Sequence, residues 1–118
     1  MSAPGTLLFR GDVAVAGIDP ADRGLAYGDG LFETMRVHAG TVPWFARHWA
    51  RLARGAQRLS LPLPGQDAVQ AAIGHCLRSA PGAGVVKLLV TRGEGGRGYA
   101  SPARPVPTWV VSAHALPP

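Results

Sequence analysis

Apolar and polar residues alternate in several short runs of the chain, and this period of two is typical of β-strands. Two such runs flank the turn-forming Arg10-Gly11-Asp12 and predict an N-terminal hairpin. The predicted strands cover residues 6–9, 13–18, 31–38, 85–91 and 108–113. Residues 19–24 are rich in Asp, Pro and Gly, so we expect turns between the hairpin and the third strand.

The apolar spacing changes to three and four residues after Trp44, which predicts two helices. The apolar stripe of the first helix consists of Phe45, Trp49, Leu52, Ala56 and Leu59. The stripe of the second helix consists of Val69, Ala72, Ile73, Cys76, Leu77 and Ala80. Pro62, Pro64 and Gly65 end the first helix, and Pro81-Gly82 ends the second. This order of elements predicts an α+β fold, with an antiparallel or mixed sheet packed against two helices.

Four arginines repeat along the opposite side of the first predicted helix, and no acidic residue of that helix is placed to pair with them. They are Arg47, Arg51, Arg54 and Arg58. A solvated face is one explanation for this row. The other is that one of these guanidinium groups binds a phosphate, which would offset the repulsion between like charges.

A length of 118 residues favours one small domain. The composition, with 47% hydrophobic and 16% charged residues, excludes a disordered chain. Frequent Gly and Pro argue against a membrane span, and no signal peptide is evident. The single cysteine, Cys76, cannot form an internal disulfide and fits a reducing compartment, so we expect a cytoplasmic protein. Cys76 and His75 are interpreted as packing residues, since one Cys and four scattered His lack the spacing of metal ligands.

A net charge of +5 raises the possibility of nucleic-acid binding. Eleven of the twelve cationic residues are Arg, and they are not interleaved with aromatic residues that could stack on bases. We therefore expect no nucleic-acid partner. A basic or self-associating module without enzymatic activity is kept as an alternative function.

Three motifs carry a specific resemblance: residues 26–36 (AYGDGLFETMR), residues 48–52 (HWARL) and residues 90–99 (VTRGEGGRGY). In this order they resemble the N-terminal domain of the fold-type IV pyridoxal-phosphate enzymes, the class IV aminotransferase family. The resemblance covers nearly the whole chain. It implies the small N-terminal domain of the D-amino acid aminotransferase-like fold, a small-molecule substrate, pyridoxal 5′-phosphate as cofactor and a homodimer.

Within this family, the Gly-rich loop is most similar to that of the 4-amino-4-deoxychorismate lyases. D-amino acid aminotransferases carry Arg-x-His there, whereas this chain has Arg97-Gly98-Tyr99. The resemblance therefore implies removal of pyruvate from aminodeoxychorismate to leave 4-aminobenzoate, a step of folate biosynthesis. A branched-chain or D-amino acid aminotransferase is the alternative.

The resemblance also suggests roles for single residues. Arg51 would bind the cofactor phosphate, and Gly28 and Gly30 would allow close approach of the backbone. The expected substrate-binding residues are Tyr27, Phe32, Lys87, Arg97 and Tyr99. For Tyr27 and Phe32 a place in the core is the alternative, and for the loop of Arg97 and Tyr99 the alternative is an exposed loop without a role.

Lys87 is the only lysine of the chain. The family's Schiff-base lysine lies in a second domain, so Lys87 is interpreted as a substrate contact or a strand residue with its ammonium in water. We therefore expect residues 1–113 to form an N-terminal domain and residues 114–118 to start an interdomain linker. The catalytic-lysine domain would follow and is absent here, so no catalytic residue is expected in this chain and the isolated chain is expected to be inactive.

Overall fold

The computed structural model describes residues 5–95 and 104–116, so the predicted site residues Arg97 and Tyr99 lie outside the described residues. The strands are β1 (Thr6–Arg10), β2 (Val13–Ala14), β3 (Gly30–Arg36), β4 (Val85–Thr91) and β5 (Thr108–His114). The helices are α1 (Arg23–Tyr27), α2 (Phe45–Leu59) and α3 (Gln66–Ser79).

The strands form one sheet in the order β2-β1-β5-β4-β3, and each neighbouring pair is antiparallel. The predicted α+β class is confirmed. β4 lies between β5 and β3, a central position that suits the apolar run of residues 85–91. β3 forms one edge of the sheet, and its seven residues pair with β4 from Gly30–Thr91 to Arg36–Val85.

The core lies between one face of the sheet and the helices α2 and α3. Alternate strand residues point into it because successive side chains of a strand face opposite sides. Its fully buried strand residues are Met35, Val86, Leu88, Val90, Trp109 and Val111. Trp109 stacks on Phe9 with 4.2 Å between ring centroids, and its indole N–H donates to the Gly11 carbonyl at 2.7 Å. Trp109 therefore ties the hairpin turn to the core.

The two long helices agree with the predicted stripes in most positions. Leu52, Ala56 and Cys76 are buried, and the Cys76 thiol lies 3.6 Å from the Val111 carbonyl oxygen. Two expectations were wrong: Leu59 is 46% exposed, and His75 is exposed rather than packed. Leu59 is the last residue of α2, and His75 lies in the second-to-last turn of α3. Both are at the margin of the apolar stripe.

A third helix, α1, occupies part of the segment predicted as turns. Asp22 caps its N-terminus, since the carboxylate oxygen Oδ1 accepts a hydrogen bond from the Gly24 N–H at 2.8 Å. Gly28 ends the helix with φ of +66°, in the left-handed region that favours glycine. The second strand of the predicted hairpin is shorter than expected, because only Val13 and Ala14 pair. β5 continues one residue beyond the predicted strand end, to His114.

The other face of the sheet, called here the open face, is not packed against α2 or α3. In the described chain it carries Phe32, Thr34, Lys87, Leu89, Val110 and Ser112 on three adjacent strands. Phe32 is 59% exposed there. No helix of the described residues has the length and apolar character needed to span a membrane.

Candidate functional site

A buried carboxylate, Glu33, links β3 to α2. Its side chain is only 8% exposed. The Arg51 Nε lies 3.1 and 3.0 Å from the two carboxylate oxygens, and Arg51 Nη2 donates to Oε1 at 2.8 Å. His48 Nδ1 also lies 2.8 Å from Oε1. As expected, no acidic residue of α2 pairs with Arg51. Its partner comes instead from a strand, eighteen positions earlier in the chain.

Contacts with Arg51 and His48 keep Glu33 ionised in spite of its burial. Burial alone would raise the pKa of this carboxyl group, but the hydrogen bonds from Arg51 and His48 outweigh it and hold the pKa below its usual range. Glu33 in turn raises the pKa of Arg51. The Glu33–Arg51 pair is therefore fully charged at neutral pH, and the two opposite charges cancel.

Arg51 can still bind an anion in this arrangement. A guanidinium group has five N–H donors, and Glu33 takes those of one edge, formed by Nε and Nη2. The Arg51 side chain is 64% exposed, and the edge formed by Nη1 and Nη2 is left for a second, bidentate partner. Glu33 thus orients Arg51, and the described residues fit a phosphate group at this position.

The exposed side of α2 forms a groove of about 440 Å³ around Arg51. This α2 groove is lined by Trp44, Arg47, His48, Ala50, Arg51 and Arg54. Small Ala50 forms part of its lining between longer side chains. The fourth arginine of the predicted row, Arg58, does not line the groove.

Arg92 organises a second cluster at the end of β4. Its Nε donates to Asp29 Oδ2 at 2.8 Å, and its Nη1 and Nη2 donate to the carbonyls of Ser60 and Leu59 at 2.9 and 2.8 Å. Arg23 Nε donates to the same Asp29 oxygen at 2.9 Å. Arg92 therefore joins the 26–36 motif to the C-terminus of α2.

Asp29 stays ionised in this cluster. Burial would raise its pKa, but hydrogen bonds from Arg92 and Arg23 lower the pKa below the usual value. The carboxylate accepts from two guanidinium groups at once. The turn between α1 and β3 is thus fixed by charge as well as by its glycines.

Close packing holds α1 against the end of β4. The Thr91 hydroxyl donates to Asp22 Oδ1 at 2.8 Å and accepts from the Gly93 N–H at 3.0 Å. A Cβ atom on Gly24 would lie 2.2 Å from Thr91 Cγ2, and one on Gly30 would lie 2.5 Å from the Val90 carbonyl oxygen. Gly24 and Gly30 are therefore required by packing. At Gly28 a Cβ atom would meet nothing within 4 Å, which leaves its backbone accessible.

A second cavity, of about 260 Å³, opens beside these glycines. It is lined by Gly24, Gly28, Gly30, Leu31, Phe32, Leu89 and Thr91. Tyr27 is 53% exposed and its ring lies under the Arg23 guanidinium, 4.9 Å from the ring centroid. The alternative interpretation of Tyr27 and Phe32 as core aromatics is therefore wrong.

Lys87 lies on the open face beside Phe32. Its ammonium is 4.9 Å from the centroid of the Phe32 ring, and its cross-strand neighbours are Thr34 and Ser112. Phe32 and Lys87 are thus together on one face of the sheet, whereas Arg51 packs on the other. The two groups are nevertheless connected at β3, because Phe32 and Glu33 are adjacent residues of this edge strand.

The sequence patterns gave no role to Glu33, His48, Asp29 or Arg92. Glu33 had one available signal: it is the only acidic residue of β3 and lies at a position of the alternation that should be apolar. His48 was singled out only as part of a motif, whereas Arg51, three residues later on α2, was also one of the row of four arginines. Within the described residues, no group of three or more His, Cys, Asp or Glu could hold a metal ion.

The chain as a whole is similar to several known proteins. The solved structure of 4-amino-4-deoxychorismate lyase from Pseudomonas aeruginosa is 47% identical, with a TM-score of 0.77 over 94% of this chain and 40% of that one. Aminodeoxychorismate lyase of Vibrio harveyi is 30% identical over 81% of this chain and 35% of its own length. A Methanocaldococcus jannaschii protein described as a branched-chain-amino-acid aminotransferase is 33% identical over 82% and 34%.

The chain thus spans between a third and two fifths of the length of these relatives. A hypothetical aminotransferase from Mycobacterium tuberculosis, solved in its PLP-bound form, shares the fold with a TM-score of 0.72 and 24% identity, over 95% of this chain and 40% of that one. The family model for class IV amino-transferases matches residues 30–118. With its α+β fold and its match over three quarters of the sequence, this chain belongs to the class IV aminotransferase family of fold-type IV pyridoxal-phosphate enzymes.

Proposed function

We propose that this chain is the N-terminal domain of a pyridoxal-phosphate-dependent lyase that converts 4-amino-4-deoxychorismate to 4-aminobenzoate and pyruvate. The observation that carries this proposal is its 47% identity to the Pseudomonas aeruginosa lyase over 94% of the chain. The relatives with aminotransferase names share less of their sequence with this chain, 33% for the Methanocaldococcus jannaschii protein and 24% for the Mycobacterium tuberculosis protein. The chain's role would be to bind and orient, since we expect the reactive amine elsewhere.

We assign the cofactor phosphate to Arg51. Glu33 supports this assignment because its carboxylate, which His48 also contacts, holds the guanidinium in one orientation and leaves its second edge exposed. A phosphate with several acceptor oxygens suits a planar, bidentate donor. When bound, the cofactor would act as an electron sink for the bond that breaks in the substrate.

We assign the substrate to the open face next to β3. Phe32 and Leu89 offer apolar surface beside the cavity, and the Lys87 ammonium lies close enough to bind a carboxylate of a ring placed against Phe32. Tyr27 would close the same region from α1. Arg97 and Tyr99 lie outside the described residues, and their contacts with substrate carboxylate and hydroxyl groups stay predictions.

We do not assign covalent attachment of the cofactor to Lys87. This lysine is the only one of the chain, and its ammonium lies over the Phe32 ring on the face opposite the α2 groove. We propose that residues 1–113 form the binding domain, that residues 114–118 begin a linker, and that the amine comes from a second domain.

The lyase proposal is tested on the protein of the complete reading frame, purified with pyridoxal 5′-phosphate. Aminodeoxychorismate should yield equal amounts of 4-aminobenzoate and pyruvate, without any requirement for a 2-oxo acid. Lys87→Gln should raise KM about tenfold or more while kcat changes less, as expected for loss of a substrate charge contact. Arg78→Gln, an exposed cation of α3 that has no assigned role, is the control.

An aminotransferase of the same family is the second candidate, favoured by the 33% identity to the Methanocaldococcus jannaschii protein. It predicts amino-group exchange that depends on a 2-oxo acid and no release of pyruvate from aminodeoxychorismate. That result would replace the lyase proposal. Turnover of aminodeoxychorismate by the 118-residue chain alone would contradict the assignment of the reactive amine to a second domain.

A further inference from the structure

The α2 groove contains positive charge in addition to that of Arg51. Three of its six lining residues are arginines, and the sequence of α2, FARHWARLARGAQRL, contains no acidic residue. Arg47 and Arg54 are exposed, and neither forms an ion pair within the described parts of the chain. Like charges on neighbouring helical turns repel each other, so this arrangement costs stability.

Arg51 by itself can orient a bound phosphate but contributes little net electrostatic attraction to it. Glu33 cancels its charge through three hydrogen-bond contacts, and His48 also lies on this carboxylate. A phosphate ester carries between one and two negative charges near neutral pH, and it would meet an almost neutral Glu33–Arg51 pair. The attraction must therefore come from other groups that line the groove.

Arg47 and Arg54 are placed to supply it. They precede and follow Arg51 by four and three residues, so all three lie on one side of the helix. With a rise of 1.5 Å per residue, Arg47 and Arg54 start about 10 Å apart along the axis, with Arg51 between them. Both side chains are long enough to approach a phosphate that rests on the exposed edge of Arg51.

We propose that Arg47 and Arg54 attract small phosphate esters to the α2 groove, while Arg51, held by Glu33, fixes the position of the bound phosphate. This assignment rests on the proposed function of Arg51, which is to bind the phosphate. It assigns a role in affinity to two residues whose side chains have no ion-pair partner in the described chain. It also gives a reason for the cost of the unpaired arginine row, because the bound phosphate reduces the repulsion.

The test uses the 118-residue chain and pyridoxine 5′-phosphate, a phosphate ester without an aldehyde that could react with Lys87. Binding is followed by NMR chemical-shift titration at about 20 and about 200 mM salt, because ionic screening distinguishes charge attraction from shape. The double variant Arg47→Gln/Arg54→Gln should weaken binding about fivefold or more at low salt and flatten its salt dependence. Unphosphorylated pyridoxine should show no such dependence.

Arg58→Gln is the control, because it removes one positive charge from the same helix outside the groove. It should leave binding within about twofold of the parent chain. Circular dichroism checks that each variant keeps its fold, which we expect since Arg47, Arg54 and Arg58 are all exposed. An equal loss of binding free energy per removed charge in the Arg58→Gln and double variants would mean that total charge, not the groove, attracts the ester, and would overturn the proposal.

The outcomes also separate this inference from the function proposed for Arg51. If Arg51→Gln abolishes binding while the double variant binds as the parent does, Arg51 keeps its role and the attraction by Arg47 and Arg54 is refuted. If no saturable binding of the ester occurs, the inference fails, whereas the lyase proposal is decided separately by pyruvate release. The inference is supported if the double variant loses the salt dependence of binding and the Arg58→Gln variant keeps it.

Discussion

At the scale of single residues, Glu33 connects the sheet to the proposed phosphate site. We expect Glu33→Gln to lower the free energy of unfolding by about 1–2 kcal/mol, because the buried Glu33 loses the charge in its hydrogen bonds with Arg51 and His48, although Arg51 itself stays largely in water. Urea unfolding measures this change. Arg36→Gln, on the same strand and exposed, should change stability by less than about 0.5 kcal/mol. An equal effect of both variants would show that the pair does not stabilise the fold.

The pKa of Glu33 gives the same contact a pH dependence. Its pKa is lower in the folded chain than in the unfolded one, so its contribution is complete above the unfolded pKa, near 4.3, and is lost as the pH falls through the folded pKa. The stability of the parent chain should therefore decrease more steeply below about pH 5 than that of Glu33→Gln. Unfolding curves between about pH 3 and 7 test this, and parallel curves would contradict it.

Arg92 acts at the scale of elements, since it joins the C-terminus of α2 to the turn before β3. We expect Arg92→Gln to cost about 2–4 kcal/mol, because it removes the cation from a partly buried pair with Asp29 and leaves the carbonyls of Leu59 and Ser60 without their donor. Chemical denaturation measures the loss. Arg58→Gln at the same helix end is the control, and a similar loss there would argue against a specific role of Arg92.

The contact of α1 with β4 can be tested with two glycines of this helix, Gly24 within it and Gly28 at its C-terminal end. Gly24→Ala places a Cβ atom 2.2 Å from Thr91 Cγ2, so we expect a loss of more than about 2 kcal/mol. Gly28→Ala meets open space and has only its φ of +66° against it, which costs about 1 kcal/mol. Thermal unfolding should place Gly24→Ala clearly below Gly28→Ala; the reverse order would mean that α1 does not pack as described.

At the scale of the whole molecule, the sheet has one face against the helices and one open face. The apolar residues Phe32 and Leu89 make the open face a surface on which we expect the 118-residue chain to self-associate. Light scattering over a range of concentrations should show a rising apparent mass, and Phe32→Ser should reduce it. Trp44→Ser removes an aromatic residue of similar exposure, 58%, near α2 and should not. A monomer at all concentrations would contradict this expectation.

Much of the fold could be predicted because its signals are local. The strand 85–91 was predicted with its observed bounds, since its apolar run is interrupted only by Lys87. The apolar stripes of α2 and α3 extend over three to four turns and therefore stand out. α1 has five residues, too few for a periodic signal, and is held by the contact of Asp22 with Thr91, 69 positions away. Only the folded chain could reveal it.

The sequence alone determined the strands, the two long helices and the family, and through a motif it selected Arg51 from four similar arginines. The tertiary structure decided which groups surround Arg51: Glu33 is eighteen residues away in the chain but 2.8 Å away in space, and Arg58 of the same row is outside the groove. The apolar periodicity of an element and its match to a motif depend on residues that are neighbours in the sequence. A charge pair between a strand and a helix depends on how these elements pack, and that is fixed by the core as a whole.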